Sequence, residues 1–243
     1  MDSGEIRIFK RYYLHAYLMR RIFTFLLGLF LSISLFAQGD VTKFLGIPID
    51  GYKSEMRRKL EAKGFVWNSY KECLEGEFNG TDVEVHLVTN NNKVYRIMVQ
   101  DAVYRSESQI KLRFNKLCSQ FENNSKYTSF GTDQSIADDE DISYEMSVHE
   151  KRYEATFFQV PDNFDTLAFQ AQVLEKVQAT IPVYKLENPT EEVQEQVLRI
   201  GIEATYELLS KKSVWFMINK RNGEYCILMY YDNKQNEANG EDL

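Results

Sequence analysis

The chain has 243 residues, with 29 Lys+Arg against 36 Asp+Glu, 44% apolar residues, 14% aromatics and only 4 Pro and 12 Gly. That balance belongs to a folded globular protein and rules out disordered, collagenous and low-complexity classes. A formal charge of −7 argues against nucleic-acid binding, because no basic excess exists to replace phosphate counterions.

Residues 19–37 open with Met19-Arg20-Arg21, continue as an apolar run from Ile22 to Phe36 and end on Ala37. A basic start, an apolar stretch and a small terminal residue form the three-part pattern of a secretory signal peptide. As a membrane anchor the run is short, since about 20 apolar residues are wanted, and Thr24, Gly28, Ser32 and Ser34 soften it. Cleavage after Ala37 is expected, with Leu35 larger than ideal at the third position before the cut. No Cys follows the run, so lipid attachment is not expected, and Met19 is a better natural start than Met1. Removing the five basic and two acidic residues of 1–37 leaves 24 basic and 34 acidic groups, net −10. A periplasmic or secreted protein follows, touching membrane only through the signal peptide before cleavage.

The first module spans 38–121. A helix is expected from about Tyr52 to Lys63, with Tyr52, Met56 and Leu60 on one stripe. Gly64 and Phe65 then fit the end of a Schellman cap. Asn79-Gly80 is the strongest two-residue hairpin signal and joins Leu74–Phe78 to a strand on which Val83, Val85 and Leu87 alternate with polar residues. Asn90-Asn91-Asn92 turns the chain into Val94–Gln100, where Tyr95, Ile97 and Val99 are expected on one face. Ser106 and Gln109 make a capping box before a helix with the stripe Ile110, Phe114, Leu117, Phe121.

A polar stretch, 122–141, reads as the junction to a second module, 142–243. Ile142, Tyr144, Met146 and Val148 alternate as a strand, turning at His149-Glu150-Lys151 toward Tyr153, Ala155 and Phe157. Asp165–Thr180 has helical spacing and ends at Pro182. Asn188-Pro189-Thr190-Glu191 starts another helix, with Pro at its first position and the stripe Val193, Val197, Ile200, Ala204, Leu208. Asn222-Gly223 joins Val214–Asn219 to Glu224–Tyr231, and a polar tail follows. Helix-then-hairpin units forming antiparallel sheet, with helices packed on one face, make this an α+β fold.

Gly46-Ile47-Pro48-Ile49-Asp50-Gly51, Lys59-Leu60, Lys63-Gly64-Phe65 and the ending Tyr230-Tyr231-Asp232-Asn233 with Gly240-Glu241-Asp242-Leu243 resemble a group of secreted or periplasmic proteins from gut Gram-negative bacteria. The likeness spans nearly the whole mature chain, but no activity is assigned to that group, so it implies no functional residues. More loosely, the units resemble in topology the tandem modules of β-lactamase inhibitory proteins and of small outer-membrane assembly lipoproteins. A shared topology does not carry function, and the lipid-bearing Cys of the lipoproteins is missing.

Candidate chemistry is sparse. Cys73, Cys118 and Cys226 allow one disulfide at most; their contexts favour buried thiols, and their spacing fits no zinc pattern. His86 and His149 fall on the polar sides of alternating segments and read as exposed histidines rather than general bases, with no nucleophile placed beside either. Asp138-Asp139-Glu140-Asp141 lacks the ligand spacing, Gly and distal Glu of a calcium loop and reads as solvated. Asp165-Thr166-Leu167 matches a short O-glycosylation acceptor with Thr166 as the attachment site, although Asp165 equally suits a helix cap. No nucleophile elbow, zincin helix, phosphate loop or dinucleotide fingerprint is present, and no cofactor or metal is expected.

Trp215, Met217, Cys226, Leu228 and Tyr230 make the second face of the last hairpin as apolar as the first. That hairpin is either central and covered on both sides or displays a partner surface built on Trp215, Met217, Leu228 and Tyr230; the covered arrangement is expected. The functional expectation is a non-enzymatic envelope protein that binds another envelope protein or ligand. The alternatives are a paired-carboxylate hydrolase of cell-wall or dietary polymers and a stress or assembly factor without a stable ligand.

Overall fold

Three two-residue turns organise the sheet. Asn79-Gly80, Asn91-Asn92 and Asn222-Gly223 all adopt positive φ at both positions, the conformation whose twist matches paired antiparallel strands. The computed structural model describes residues 40–131, 133–162 and 164–237; the signal-peptide pattern at 19–37 lies outside them. Among the described residues, no helix is long and apolar enough to cross a membrane.

The fold is α+β. A small hairpin, β1 (Lys43–Phe44) and β2 (Ile47–Pro48), precedes helix α1 (Lys53–Glu61). Strands β3 (Val66–Asn68), β4 (Cys73–Phe78), β5 (Thr81–Asn90) and β6 (Lys93–Asp101) lead to α2 (Glu107–Glu122). Then come β7 (Tyr127–Thr128), α3 (Ile142–Val148) and β8 (Glu154–Gln159). Helices α4 (Thr166–Thr180), α5 (Val183–Glu187) and α6 (Glu191–Leu209) intervene before β9 (Ser213–Arg221) and β10 (Glu224–Asp232). Strands β3 to β10 form one antiparallel sheet in the order β3-β4-β5-β6-β10-β9-β8-β7.

The chain divides into two compact units. One comprises 41–160 and 209 onward and holds the sheet; the other is built on 161–208. Strands expected in separate modules, 38–121 and 142–243, thus share one sheet, because β6 pairs β10 from Arg96↔Asp232 to Gln100↔Leu228. The polar stretch 122–141 is no linker. Asn115 on α2 exchanges two hydrogen bonds with the Ile136 backbone, both 2.8 Å, and Gln134 does the same with Thr156 on β8.

One face of the sheet is closed by α1, α2 and α3. Met56, Leu60, Ile110, Phe114, Leu117, Phe121 and Ile142 pack with Val83, Val85, Ile97, Phe157, Val214, Phe216, Ile227 and Tyr231 in a single core. The Schellman cap after α1 is present: Phe65 N–H donates to Leu60 C=O (3.2 Å) and Gly64 N–H to Glu61 C=O (3.0 Å), with Gly64 at φ +98°. The capping box before α2 is present as well, with Ser106 N–H donating to Gln109 Oε1 at 3.3 Å. Buried Asp101 accepts from Arg113 Nε (2.5 Å) and Arg105 Nη1 (2.9 Å), tying the end of β6 to α2.

Four local expectations are corrected. Ile142–Val148 is a helix, because the Asp141 carboxylate accepts from Tyr144 N–H (2.8 Å) and caps it; the alternation there also contains an i,i+4 pair, Ile142 and Met146. Tyr52 precedes α1 and is exposed, leaving Met56 and Leu60 to the core. Thr190, not Asn188, caps α6, and Pro189 lies before the first turn. Tyr95 leaves the face of Ile97 and Val99: Thr89 pairs with Val94 but Val88 with Arg96, so Tyr95 is the extra residue of a bulge. The beginning of the tail is fixed, since Asn233 is buried and donates to Ile49 C=O at 2.7 Å.

The unit at 161–208 has its own small core of Val173, Val177, Ile181, Val193 and Ala204, with Val197 and Ile200 packed against it. Asp165 caps α4 by accepting from Ala168 N–H at 2.9 Å. That is the helix-cap role; Thr166 is half-buried as the first residue of the helix.

Candidate functional site

Strand alternation sends every second side chain to the face of the sheet turned away from α1, α2 and α3. Two cross-strand rows on this reverse face are set by the register. One runs His86, Met98, Tyr230, Trp215, Thr156; the next runs Glu75, Glu84, Gln100, Leu228, Met217, Glu154. All four partner-surface residues named from the sequence, Trp215, Met217, Leu228 and Tyr230, therefore stand side by side. They are half-buried. The last hairpin is central, at the fifth and sixth places of eight. Only its helix-side face is fully covered, which corrects the expectation that both are.

Trp215 and Tyr230 stack at 4.1 Å between ring centroids, 17° from parallel. Arg96, one strand away on β6, holds its guanidinium 5.2 Å from the Tyr230 ring and 5.8 Å from the Trp215 ring. Asp232 fixes both partners. It accepts from Arg96 Nε (2.5 Å) and Nη2 (2.9 Å), and its Oδ2 accepts from the Trp215 indole N–H at 2.9 Å. The paired carboxylate holds the Arg96 guanidinium above its usual pKa against the opposing effect of burial. Burial also raises the Tyr230 phenol, so the ring stays neutral. The result is a pre-ordered platform of two planar rings and one cation.

The same row ends in a second cluster. Cys73, Glu84 and His86 each place a ligand atom within 4.8 Å of the others, the one such group able to hold a metal among the described residues. Lys71 Nζ bridges Glu75 Oε1 (2.8 Å) and Glu84 Oε1 (2.6 Å). Burial pushes the Cys73 thiol up, helped by the charges of Glu84 and Glu75, and pushes His86 down. Lys71 and Asn68, as hydrogen-bond donors, lower the Glu75 carboxyl. His86 is thus no solvated bystander: it is about half-buried and 3.8 Å from Glu84 Oε2.

The remaining sequence candidates are not brought together. His149 caps the far end of α3, on the helix side, paired with Glu145 at 2.9 Å. In the acidic run, Glu140 takes Lys151 and the Tyr153 hydroxyl, Asp141 caps α3, and the Asp138 and Glu140 carbonyls accept from Lys111, so its carboxylates do not converge on a point. Cys73, Cys118 and Cys226 are all buried free thiols; burial pushes the Cys118 thiol up to about 12. Among the described residues, side-chain hydrogen-bond donors hold the Asp50, Glu55, Glu75, Asp133 and Glu140 carboxyls below their usual range.

On the helix side a cleft of ≈ 430 Å³ is lined by Leu45, Phe78, Leu117, Phe121, Tyr127 and Tyr231, with Glu77, Asn79, Gln120 and Asn124 among its polar residues. The Asn79 and Gln120 amides hydrogen-bond each other at 2.8 and 3.3 Å, leaving less polar capacity to orient a ligand. No family model, curated protein or solved structure matches the chain.

Proposed function

We propose that this is an exported, non-catalytic binding module of the cell envelope whose reverse sheet face recognises another envelope protein. The observation that carries the reading is the Trp215–Tyr230 stack, braced by Arg96 and Asp232. Tryptophan, tyrosine and arginine dominate binding hot spots because they offer large area with directional polar contacts. Met98, Met217 and Leu228 surround the stack on the paired strands, and methionine adapts to irregular partner surfaces. Bracing lowers the ordering cost of association, since these side chains already occupy one arrangement. Export rests on the basic-apolar-small pattern of residues 19–37.

The test is site-specific photocrosslinking in the native host. A photoreactive phenylalanine at Tyr230 is expected to capture a discrete envelope protein, and Trp215→Ala on the same chain to abolish the adduct while the circular dichroism spectrum is unchanged. The same probe at Tyr70, 95% exposed in the β3–β4 connection, serves as the control. Equal adducts from both positions, or none from Tyr230, would overturn the assignment.

A further inference from the structure

We propose that Cys73, Glu84 and His86 form a site for a borderline transition-metal dication, with Zn²⁺ the ion its donors fit best. Glu84 and His86 are two residues apart on β5, so both side chains project from the same face. The β4–β5 ladder pairs Leu74 with Val85 and Glu75 with Glu84; one step further along the same register sets Cys73 opposite His86. Side chains directly opposite in an antiparallel pair stand about 5 Å apart at Cβ, which is why the sulfur, imidazole and carboxylate atoms gather within 4.8 Å.

The donor set selects the ion. A thiolate is soft, an imidazole intermediate and a carboxylate hard, a mixture that suits zinc and not calcium or magnesium, which take oxygen ligands. Tetrahedral Zn²⁺ with bonds of about 2.0–2.3 Å needs its ligand atoms roughly 3.5 Å apart. Closing from 4.8 Å asks only for small rotations, and the two residues that must turn, Glu84 and His86, are partly exposed, at 19% and 29% of their side-chain area.

The surrounding groups are already placed to orient the donors. Lys71 holds Glu84 by Oε1 at 2.6 Å, while Oε2 is the oxygen turned to His86 at 3.8 Å. One carboxylate oxygen is thus anchored from outside and the other is left toward the metal position, the arrangement by which outer groups orient ligands. Charge favours a cation as well. Glu84, Glu75 and a Cys73 thiolate carry three negative charges against Lys71 and the Lys53 that acts on His86, so the donor set is net negative and attracts a dication. The thiol proton leaves to solvent as the metal–sulfur bond forms. Three protein ligands leave a fourth tetrahedral position for water or a partner group, as in open zinc sites.

The full chain, stripped with a chelator, is titrated with Co²⁺ as a spectroscopic substitute. One equivalent is expected to give an intense near-ultraviolet thiolate-to-cobalt band, displaced by Zn²⁺. Cys73→Ser should lose that band, and His86→Asn and Glu84→Gln should each weaken Co²⁺ binding about tenfold or more, while His149→Ala leaves it unchanged. Melting curves without metal establish that each variant folds. If Cys73→Ser does not fold, the two part-exposed variants decide. Absence of uptake at micromolar Co²⁺, a band that survives Cys73→Ser, or unchanged affinity in both His86→Asn and Glu84→Gln would overturn the site.

Discussion

On the helix side of the sheet, Phe216 meets Phe114 edge-on at 5.0 Å and lies nearly parallel to Phe121 at 5.8 Å. Its neighbour Trp215 points the other way and stacks on Tyr230 at 4.1 Å. Phe216 is 0% exposed, and no charged group is needed to place it. Trp215 is half-buried and is held by a carboxylate and a guanidinium. The two faces are similarly apolar in sequence, yet one is closed by helices and the other is organised by polar anchors. Hydrophobicity alone does not tell a core from a platform; what distinguishes them is whether polar groups are spent fixing the rings.

The largest expected effects lie on the helix side. Phe114→Ala and Phe216→Ala should each cost about 3–5 kcal/mol, the range for buried aromatics. For a chain of this size that lowers the melting temperature by roughly 2–4 °C per kcal/mol, read by calorimetry. A loss below ~1 kcal/mol at Phe114, typical of surface changes, would show that α2 does not seal this face.

A smaller effect is expected at Gly76, on the same face. A Cβ there would sit 2.7 Å from the Phe65 ring, itself pinned by the Schellman cap after α1. Gly76→Ala should destabilise by about 1–3 kcal/mol, as overpacking does, and Phe65→Leu should relieve part of it in a double-mutant cycle. Additive losses would mean that the ring is free to move aside.

How far these faces were legible depends on the turns. A two-residue Asn79-Gly80 turn sets the whole β4–β5 register, so the meeting of Cys73 with His86 was implicit in the sequence; the absence of a contiguous zinc motif hid it. The Asn222-Gly223 turn likewise dictates that Trp215 opposes Tyr230. The β5–β6 hairpin was less legible, because the bulge at Tyr95 interrupts the alternation, putting Val94 in the core with Ile97 and Val99 and leaving Tyr95 out. The β6–β10 pairing, which brings Arg96 to Asp232, joins residues more than a hundred positions apart, and no local signal specifies it. Ile142–Val148 is ambiguous in sequence because seven residues with alternating apolar positions fit either period, and one side-chain cap decides between them.

The smallest and most discriminating effect is expected at Trp215. Trp215→Ala removes a stacked aromatic pair, about 0.5–1.5 kcal/mol beyond area, and one hydrogen bond to Asp232, of order 1 kcal/mol. Asp232 keeps both bonds from Arg96, so no buried carboxylate is left alone and the large penalty for an unpaired charge does not arise. Together the two come to about 1.5–2.5 kcal/mol, under the loss expected for Phe216→Ala one residue away. Trp215→Phe, which keeps a ring for Tyr230 and loses only the indole N–H, should fall lower still, near 1 kcal/mol. If Trp215→Ala instead matches Phe216→Ala in a thermal melt, Trp215 is core, both faces of the hairpin are covered, and recognition must be sought elsewhere on the molecule.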